Sequence, residues 1–498
     1  MLDKSNSATK KTVLMLDNEP LMIDRRIILE AITLVEASYK VILATRGDGK
    51  NPDISFERGI EIRRFPLMKD IKNQKLSARQ LIIKRIYSPG NQRLEKRVRK
   101  LFSFLPTKLQ SLIYGVLCPS FLVAALRNLF PALKQTLGYG FEPLCYLLLL
   151  RPLYLKPYFI FLFNRLIKKE EPEIDLFQSQ TLSFAKELKP DFIHAHDLPN
   201  LALGIEAARQ SLSYLIYDAH ELYPLQFFSS KNKQSKLADL ERRLISNVDA
   251  VIAVNRQCEE ILRETYTDLS EVVILNNATE SPSNFDPSQK KRLWHERFAL
   301  DEAVQIMVFQ GGINPVRNID PLLRAMKELP DNIHIGFITF NKDIPYYKAL
   351  TNQLGITHRV HYVIEIPWDE VIYWLSAADV GVMPYQANNI NAKISSPNKL
   401  FEFIVAGLPI IASSELINVQ HAIDAYGLGV HKLLREDDSY VEAIAEMFNE
   451  EQGGPERFQH NVLAARHLFT WDNEAPRLVD LYSRLPHKES SIKAITYS

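Results

Sequence analysis

Short apolar runs recur along this chain, each followed by a segment with helical spacing. TVLML (Thr12–Leu16) precedes residues 24–37, where Ile27, Ile28, Ala31 and Leu34 fall at helical intervals, and KVILAT (residues 40–45) comes next. Continuously apolar strands of this length need helices on both faces, which a parallel sheet with helical crossovers provides. Further strand candidates lie at residues 191–195, 214–217, 250–254 and 272–275, with helices at 201–210 and 237–246. A polar stretch rich in Pro, Ser and Asn, residues 277–290, reads as an interdomain linker. A second series then follows, with strand candidates at 306–310, 333–338, 360–363, 380–383 and 410–412, and an amphipathic helix at 471–485. The expected class is α/β, with two doubly wound sheets facing a ligand cleft between their strand ends.

That rhythm breaks between about residues 66 and 171. Residues 71–169 carry 18 Lys and Arg against two carboxylates, Glu95 and Glu142, a balance of +16, while the rest of the chain stands at −15. The whole-chain charge of +1 therefore hides two chemically different parts. Residues 109–126 hold no charge but include Pro119, and residues 143–163 are broken by Arg151, Pro152, Lys156 and Pro157. Apolar runs interleaved with cations suit a helical insertion lying on an anionic membrane surface, the partner expected for residues 71–169. Spanning helices and an ordinary packed insertion stay open as alternatives. Long Leu and Phe runs argue against a nucleic-acid partner, so none is expected. The first ten residues are polar, without a signal-peptide pattern, and Cys118, Cys145 and Cys258 have no metal-ligand spacing. Reduced thiols and a cytoplasmic setting are expected.

Four constellations could carry chemistry. SSPNKLFEFIVAGLP (residues 395–409) reads as a helix with Ser396 as N-cap, Pro397 at the first helical position and Gly407 at its close. Lys399 then opposes the helix dipole, and Glu402 lies among Leu400, Phe401, Phe403, Ile404 and Val405, where an unpaired carboxylate is costly. An anionic ligand would explain Lys399 and a hydroxylated group Glu402; an exposed lysine and an Arg-paired glutamate would serve as well. In QGGINPVR (residues 310–317), Gly311 and Gly312 permit close backbone approach after a strand, and Arg317 could reach a diphosphate. A plain Gly turn with a surface Arg fits the same residues. FIHAHDLPN (192–200) and YLIYDAHELYP (214–224) end two apolar strands with His194, His196 and Asp197, and with Asp218, His220 and Glu221. Histidine beside carboxylates suits proton transfer or recognition of sugar hydroxyls, with backbone-bonded core histidines as the plain alternative. No HExxH or clustered Cys accompanies His194 and His196, so no metal is expected. Asp24, Arg25 and Arg26 open a helix near the same cleft, where a solvated first turn is the simpler reading.

With these motifs the chain resembles the retaining glycosyltransferases of family 4 (glycosyl transferases group 1), which have the two-domain GT-B fold. The most specific part is SPNKLFEFIVAGLPIIAS (396–413), preceded by AADVGVMPY (377–385). FQGGINPVRNIDPLLRAM (309–326) is similar to the family's donor-diphosphate loop and following helix, and DFIHAHD and YDAHEL match its acceptor-side strand ends. The resemblance implies a Rossmann-like acceptor-side domain over residues 1–290 with an insertion at about 66–171. A donor-nucleotide domain would follow over 291–470, and residues 471–498 would cross back as a helix. It implies a nucleotide-diphosphate sugar as co-substrate, without a required metal. Glu402 would bind the ribose hydroxyls, Arg317 and Lys399 the diphosphate, and Gly311 and Gly312 would let the backbone approach it. His196 would be the catalytic-site residue near donor sugar and acceptor, and Arg25, Asp197, Asp218, His220 and Glu221 are acceptor-side candidates.

Two positions depart from the family pattern. Ile394 stands where a Glu is frequent, eight residues before Glu402, and DNEPL (17–21) replaces the Gly-rich loop after the first strand. The implied reaction is glycosyl transfer with retention onto a lipid-linked or cell-surface polysaccharide acceptor, at the cytoplasmic face of the membrane. A GT-B sugar-nucleotide epimerase and a non-catalytic membrane-surface binding protein of the same fold are the alternatives.

Overall fold

The structure, a computed structural model, describes residues 10–18, 23–47, 53–65, 176–226, 231–340 and 343–485. The chain divides into two units, Met1–Phe65 with Phe177–Ser498, and Pro66–Leu176. Both sheets belong to the first unit, and the expectations for the basic insertion, its membrane partner included, lie outside the described residues. Among the described residues no helix is long and apolar enough to cross a membrane.

The first sheet contains β1 (Thr12–Leu16), β2 (Lys40–Arg46), β3 (Ile54–Glu57), β4 (Ile60–Phe65), β5 (Phe192–His196), β6 (Tyr214–Ala219), β7 (Ala250–Ala253) and β8 (Glu271–Ile274). Their order is β3-β4-β2-β1-β5-β6-β7-β8. Neighbours run parallel except the edge pair β3–β4. The second sheet contains β9 (Gln305–Gln310), β10 (Ile333–Thr339), β11 (Val360–Ile364), β12 (Val380–Met383), β13 (Ile410–Ser413) and β14 (Gly429–Lys432), in the order β11-β10-β9-β12-β13-β14 and parallel throughout. In each sheet the winding reverses beside the first strand of the series, between β1 and β5 and between β9 and β12. Parallel sheets open a crevice at the carboxyl ends of such strands, and the candidate residues cluster there.

Five helices matter for the site: α1 (Arg25–Glu36), α2 (Asp197–Ser211), α3 (Trp368–Ser376), α4 (Asn398–Val405) and α5 (Ala475–Arg484). Asp24 caps α1 by accepting from the Arg26 backbone N–H at 2.8 Å. That fixes the first turn and with it the direction in which Arg25 and Arg26 leave the helix. α2 starts directly after the last residue of β5, four positions earlier than the helical spacing predicts. Asp197 makes this abrupt turn in the left-handed region (φ 63°), which short polar side chains tolerate better than most. α4 lies close against its sheet because β12 offers Gly381, where a Cβ would come within 2.5 Å of the Phe403 ring. The expected cap of α4 needs correction. Pro397 is the capping residue, without a side-chain bond, and the Ser396 hydroxyl instead accepts from Asn255 Nδ2 at 3.0 Å. Gly407 closes the helix in the left-handed region (φ 79°), as expected.

The final helix packs on the first sheet's side. The Trp471 indole donates to Thr33 Oγ1 at 2.8 Å, and the Tyr482 ring lies 4.9 Å from Phe192 and 5.5 Å from Tyr39. The Trp471 backbone N–H also donates to Thr279 O at 3.0 Å, tying the chain's end to the linker.

Candidate functional site

On the first-sheet side, a buried network of charges joins α1, β5 and β6. Arg26 grips the Asp218 carboxylate with two nitrogens, Nε at 3.2 Å and Nη2 at 3.0 Å. Its Nη1 donates to Leu275 O at 2.8 Å and Asn277 Oδ1 at 3.0 Å, and its Nε lies 2.9 Å from Glu30 one turn along α1. Around Asp218 Oδ2 gather His220 Nε2 at 2.8 Å and His196 Nδ1 at 3.2 Å. His194 stacks on His196 at 4.3 Å and shares a 2.8 Å hydrogen bond with the Tyr482 hydroxyl of α5. The terminal helix thus reaches the strand ends through one phenol.

The arrangement sets the protonation of each member. Burial alone would raise Asp218, but Arg26 and His220 hold it well below the usual carboxylate range. Burial and the Asp218 charge hold Glu30 well above that range, against the pull of Arg26. Burial opposes charge on His220, yet Asp218 and Asp197 push it up to about 10. Burial pulls His196 down to about 4 against the help of Asp218, and it also pulls His194 well down. Burial lifts Asp197 to about 7 against the pull of His220. At neutral pH the wall therefore presents an imidazolium, His220, bracketed by carboxylates, with neutral histidines behind it.

The donor atoms of Glu30, His194, His196 and Asp218 lie within 4.8 Å of one another, close enough to hold a metal ion. Arg26 already places a cation against both carboxylates, at 2.9 to 3.2 Å. The chemistry of the group is that of an ion-pair and proton network.

On the second-sheet side, cations stand without such partners. The Arg317 guanidinium lies 4.6 Å from the Tyr385 ring centroid and Lys399 Nζ 5.6 Å from the same ring. Among the described residues neither has a carboxylate within ion-pair distance. Lys399 packs over Gly311, whose φ of 110° already favours glycine and where a Cβ would come 3.1 Å from Nζ. Around Gly312 a Cβ would meet nothing within 4 Å, which leaves room over the backbone. Asn318, left-handed at φ 58°, anchors this loop by donating to Leu434 O at 3.0 Å and the Tyr440 hydroxyl at 2.8 Å, which fixes Arg317 before it.

Between the two walls lies a cavity of about 600 Å³. Of the residues the sequence singles out for chemistry, Asp24, Arg26, His220, Glu221, Arg317 and Lys399 line it. His196 and Asp218 lie behind His220, 1% and 0% exposed. Arg25 and Glu402 meet each other across the cleft, Nη1 to Oε1 at 3.4 Å. The sides also meet through Asn255 and Asn277, which donate to Ile394 O at 2.8 Å and Ser396 O at 3.0 Å. Asn277, Asn314 and Tyr385 also line the cavity, and Glu30 and Tyr482 complete the network behind it. Glu30 carries a legible signal, a carboxylate four residues after Arg26 inside an apolar helix. Tyr482 carries none, because only the tertiary packing of α5 brings it to His194.

Residues 134–280 match the family described as Glycosyltransferase Family 4, and residues 304–450 match Glycosyl transferases group 1. The chain belongs to these glycosyltransferases. It is 23% identical over 352 residues to a D-inositol 3-phosphate glycosyltransferase of Corynebacterium diphtheriae, spanning 64% of this chain and 77% of that one. Among solved structures, this glycosyltransferase is similar to sucrose-phosphate synthase from Thermosynechococcus elongatus (TM-score 0.57, 16% identity, 96% of this chain and 99% of that one). It is likewise similar to HepE of Anabaena, solved in complex with UDP and glucose (TM-score 0.57, 12% identity, 95% and 100%). These likenesses establish the GT-B fold for the two parallel sheets.

Proposed function

We propose that this glycosyltransferase moves a sugar from a nucleoside diphosphate sugar, with retention of configuration, to a saccharide or lipid-linked acceptor at the inner face of the cell membrane. The carrying observation is the pair of cations without a carboxylate partner, Arg317 and Lys399, with Lys399 over Gly311 and open space at the neighbouring Gly312. Fixed cations without carboxylates, beside free backbone and a cavity of about 600 Å³, are what a diphosphate needs. HepE of Anabaena, of similar fold, was solved with UDP and glucose, which supports a nucleotide-sugar donor. In this reading residues 1–290 form the acceptor side, 291–470 the donor side, and 471–498 the returning segment. Glu402 takes the ribose hydroxyls. His196, buried behind His220, keeps one ring nitrogen without a partner and is assigned to the reaction centre beside the donor sugar and acceptor. His220, Asp197, Asp218 and Glu221 shape the acceptor wall. The basic, apolar residues 71–169 bring the enzyme to an anionic surface carrying its acceptor.

A panel of UDP, GDP and ADP sugars tests the reading. Slow release of nucleoside diphosphate, lost in Arg317→Ala and Glu402→Ala, is expected. Epimerised donor without free nucleotide would favour the epimerase, and no binding of any nucleotide sugar would sink the proposal. An inverted anomer in the product would overturn retention. Sedimentation with anionic liposomes should weaken as salt rises, and no lipid dependence at any salt would refute the membrane assignment.

A further inference from the structure

Arg25 opens α1 on the first-sheet side, and Glu402 lies within α4 on the second-sheet side. Arg25 Nη1 stands 3.4 Å from Glu402 Oε1, a long contact for a charge-assisted bond. The guanidinium carbon lies 4.8 Å from the centroid of the Trp368 ring at the start of α3, and Trp368 itself is 45% exposed. Both charged groups are left incomplete. Glu402 is 6% exposed, yet its Oε2 is buried without a hydrogen-bond partner, and Arg25 Nε is buried without one as well. An acceptor and a donor orphaned at the same ion pair are each costly, and an arrangement of this kind calls for a ligand. A diol supplies what both lack, since one hydroxyl donates to a carboxylate while a hydroxyl oxygen accepts from a guanidinium. Lys399 sits three residues before Glu402, so the two project along one face of α4. A ribose attached to a diphosphate at Lys399 therefore reaches Glu402.

We propose that Arg25 is a nucleoside-binding residue contributed from across the cleft, where it and Glu402 together grip the ribose diol of the donor while its guanidinium rests on Trp368. This rests on the donor reading above. It moves Arg25 from the acceptor side, where the sequence places it, to recognition of the donor. Donor binding then requires a residue from each side of the cleft, and the site distinguishes ribonucleotides from deoxyribonucleotides whatever the base.

The test is calorimetric titration with UDP, GDP and ADP and with their 2′-deoxy counterparts, on the wild type, Arg25→Ala and Arg25→Lys. The wild type should prefer the ribonucleotide roughly 10- to 100-fold, the range for a hydrogen bond to a charged group. Arg25→Ala should lose most of that preference and bind the ribonucleotide about tenfold more weakly. Arg25→Lys, which keeps the charge without the planar fork, should fall between. A purely structural role would not change the ribo-to-deoxy ratio. An Arg25→Ala protein with the wild-type ratio overturns the proposal, as does a change confined to the acceptor KM. Should Arg25→Ala not fold, the ratio in Arg25→Lys decides in the same way. A wild type that binds no nucleoside diphosphate removes the donor reading itself, and this inference with it.

Discussion

On the first-sheet side of the cavity, Arg26 directs its nitrogens to Asp218, Glu30, Leu275 O and Asn277, and His220 is held between Asp218 and Asp197. On the second-sheet side, Arg317 and Lys399 lie against the Tyr385 ring and, among the described residues, have no carboxylate within ion-pair distance. Both walls are rich in cations, but the second leaves Arg317 and Lys399 without a carboxylate, whereas on the first only Arg25, among the cations described, keeps a nitrogen free at the cleft. The saturated part of the first network, Arg26 with Asp218 and His220, fixes geometry because these charges hold one another, while His194 Nε2, His196 Nε2 and the Glu30 oxygens keep no hydrogen-bond partner. An unsaturated pair of cations is incomplete until an anion arrives. The contrast assigns positioning to the Arg26–Asp218–His220 network and diphosphate binding to Arg317 and Lys399.

The largest effect should come from breaking the saturated side. Arg26→Ala leaves Asp218 buried without its cation and should cost about 3–5 kcal/mol of stability in thermal or denaturant unfolding. Arg317→Ala in the same measurement should stay within about 0.5 kcal/mol. Similar losses in the two variants would erase the distinction.

The next effect is a pH dependence. His196 is held near 4 in the folded protein, below its ordinary value of 6.5. The unfolded chain therefore takes up a proton between those pH values that the folded chain refuses. The stability carried by neutral His196 is complete above pH 6.5 and is lost as pH falls through 4. Relative to His196→Asn, the wild type should lose about 3 kcal/mol across that window. A constant difference from pH 7 to 4 would show that the ring is not held neutral.

On the unsaturated side, Arg317→Ala and Lys399→Ala should each weaken nucleoside diphosphate binding roughly 10- to 100-fold in a titration, with melting temperatures unchanged. The smallest effect belongs to Tyr482→Phe. Loss of its bond to His194 should cost about 1 kcal/mol, measured by unfolding. A neutral result would detach the terminal helix from the network.

The fold was largely legible because buried parallel strands are continuously apolar. β1 and β12 fall where the apolar runs place them, and β9, β10 and β13 within a residue. β3 and β4 were not predicted. β3 is an exposed edge strand with Glu57 and Ser55 in it, and β4 interrupts Ile60, Ile62 and Phe65 with Glu61, Arg63 and Arg64, so neither shows an apolar run. β14 is four residues long and ends in His431 and Lys432, which hides it in the same way. At the site, Glu402 and Lys399 stood out because each violated a local rule, a carboxylate among apolar residues and a cation at a helix start. The cross-cleft contact of Arg25 was not legible, since 377 residues separate it from Glu402 and only the tertiary structure pairs them. His196 and His220 both stand out, but which of them lines the cavity depends on the register in which β5 and β6 pair, His196 opposite Asp218, and on the loop that carries His220 beyond β6.

Calorimetric titration of the wild type and of the Arg317→Ala/Lys399→Ala double variant with UDP, GDP and ADP tests the division between the walls most directly. The account predicts that the wild type binds at least one of these nucleotides and that the double variant, equally stable, binds none measurably. A double variant that binds as tightly as the wild type, or a wild type that binds no nucleoside diphosphate, would contradict it.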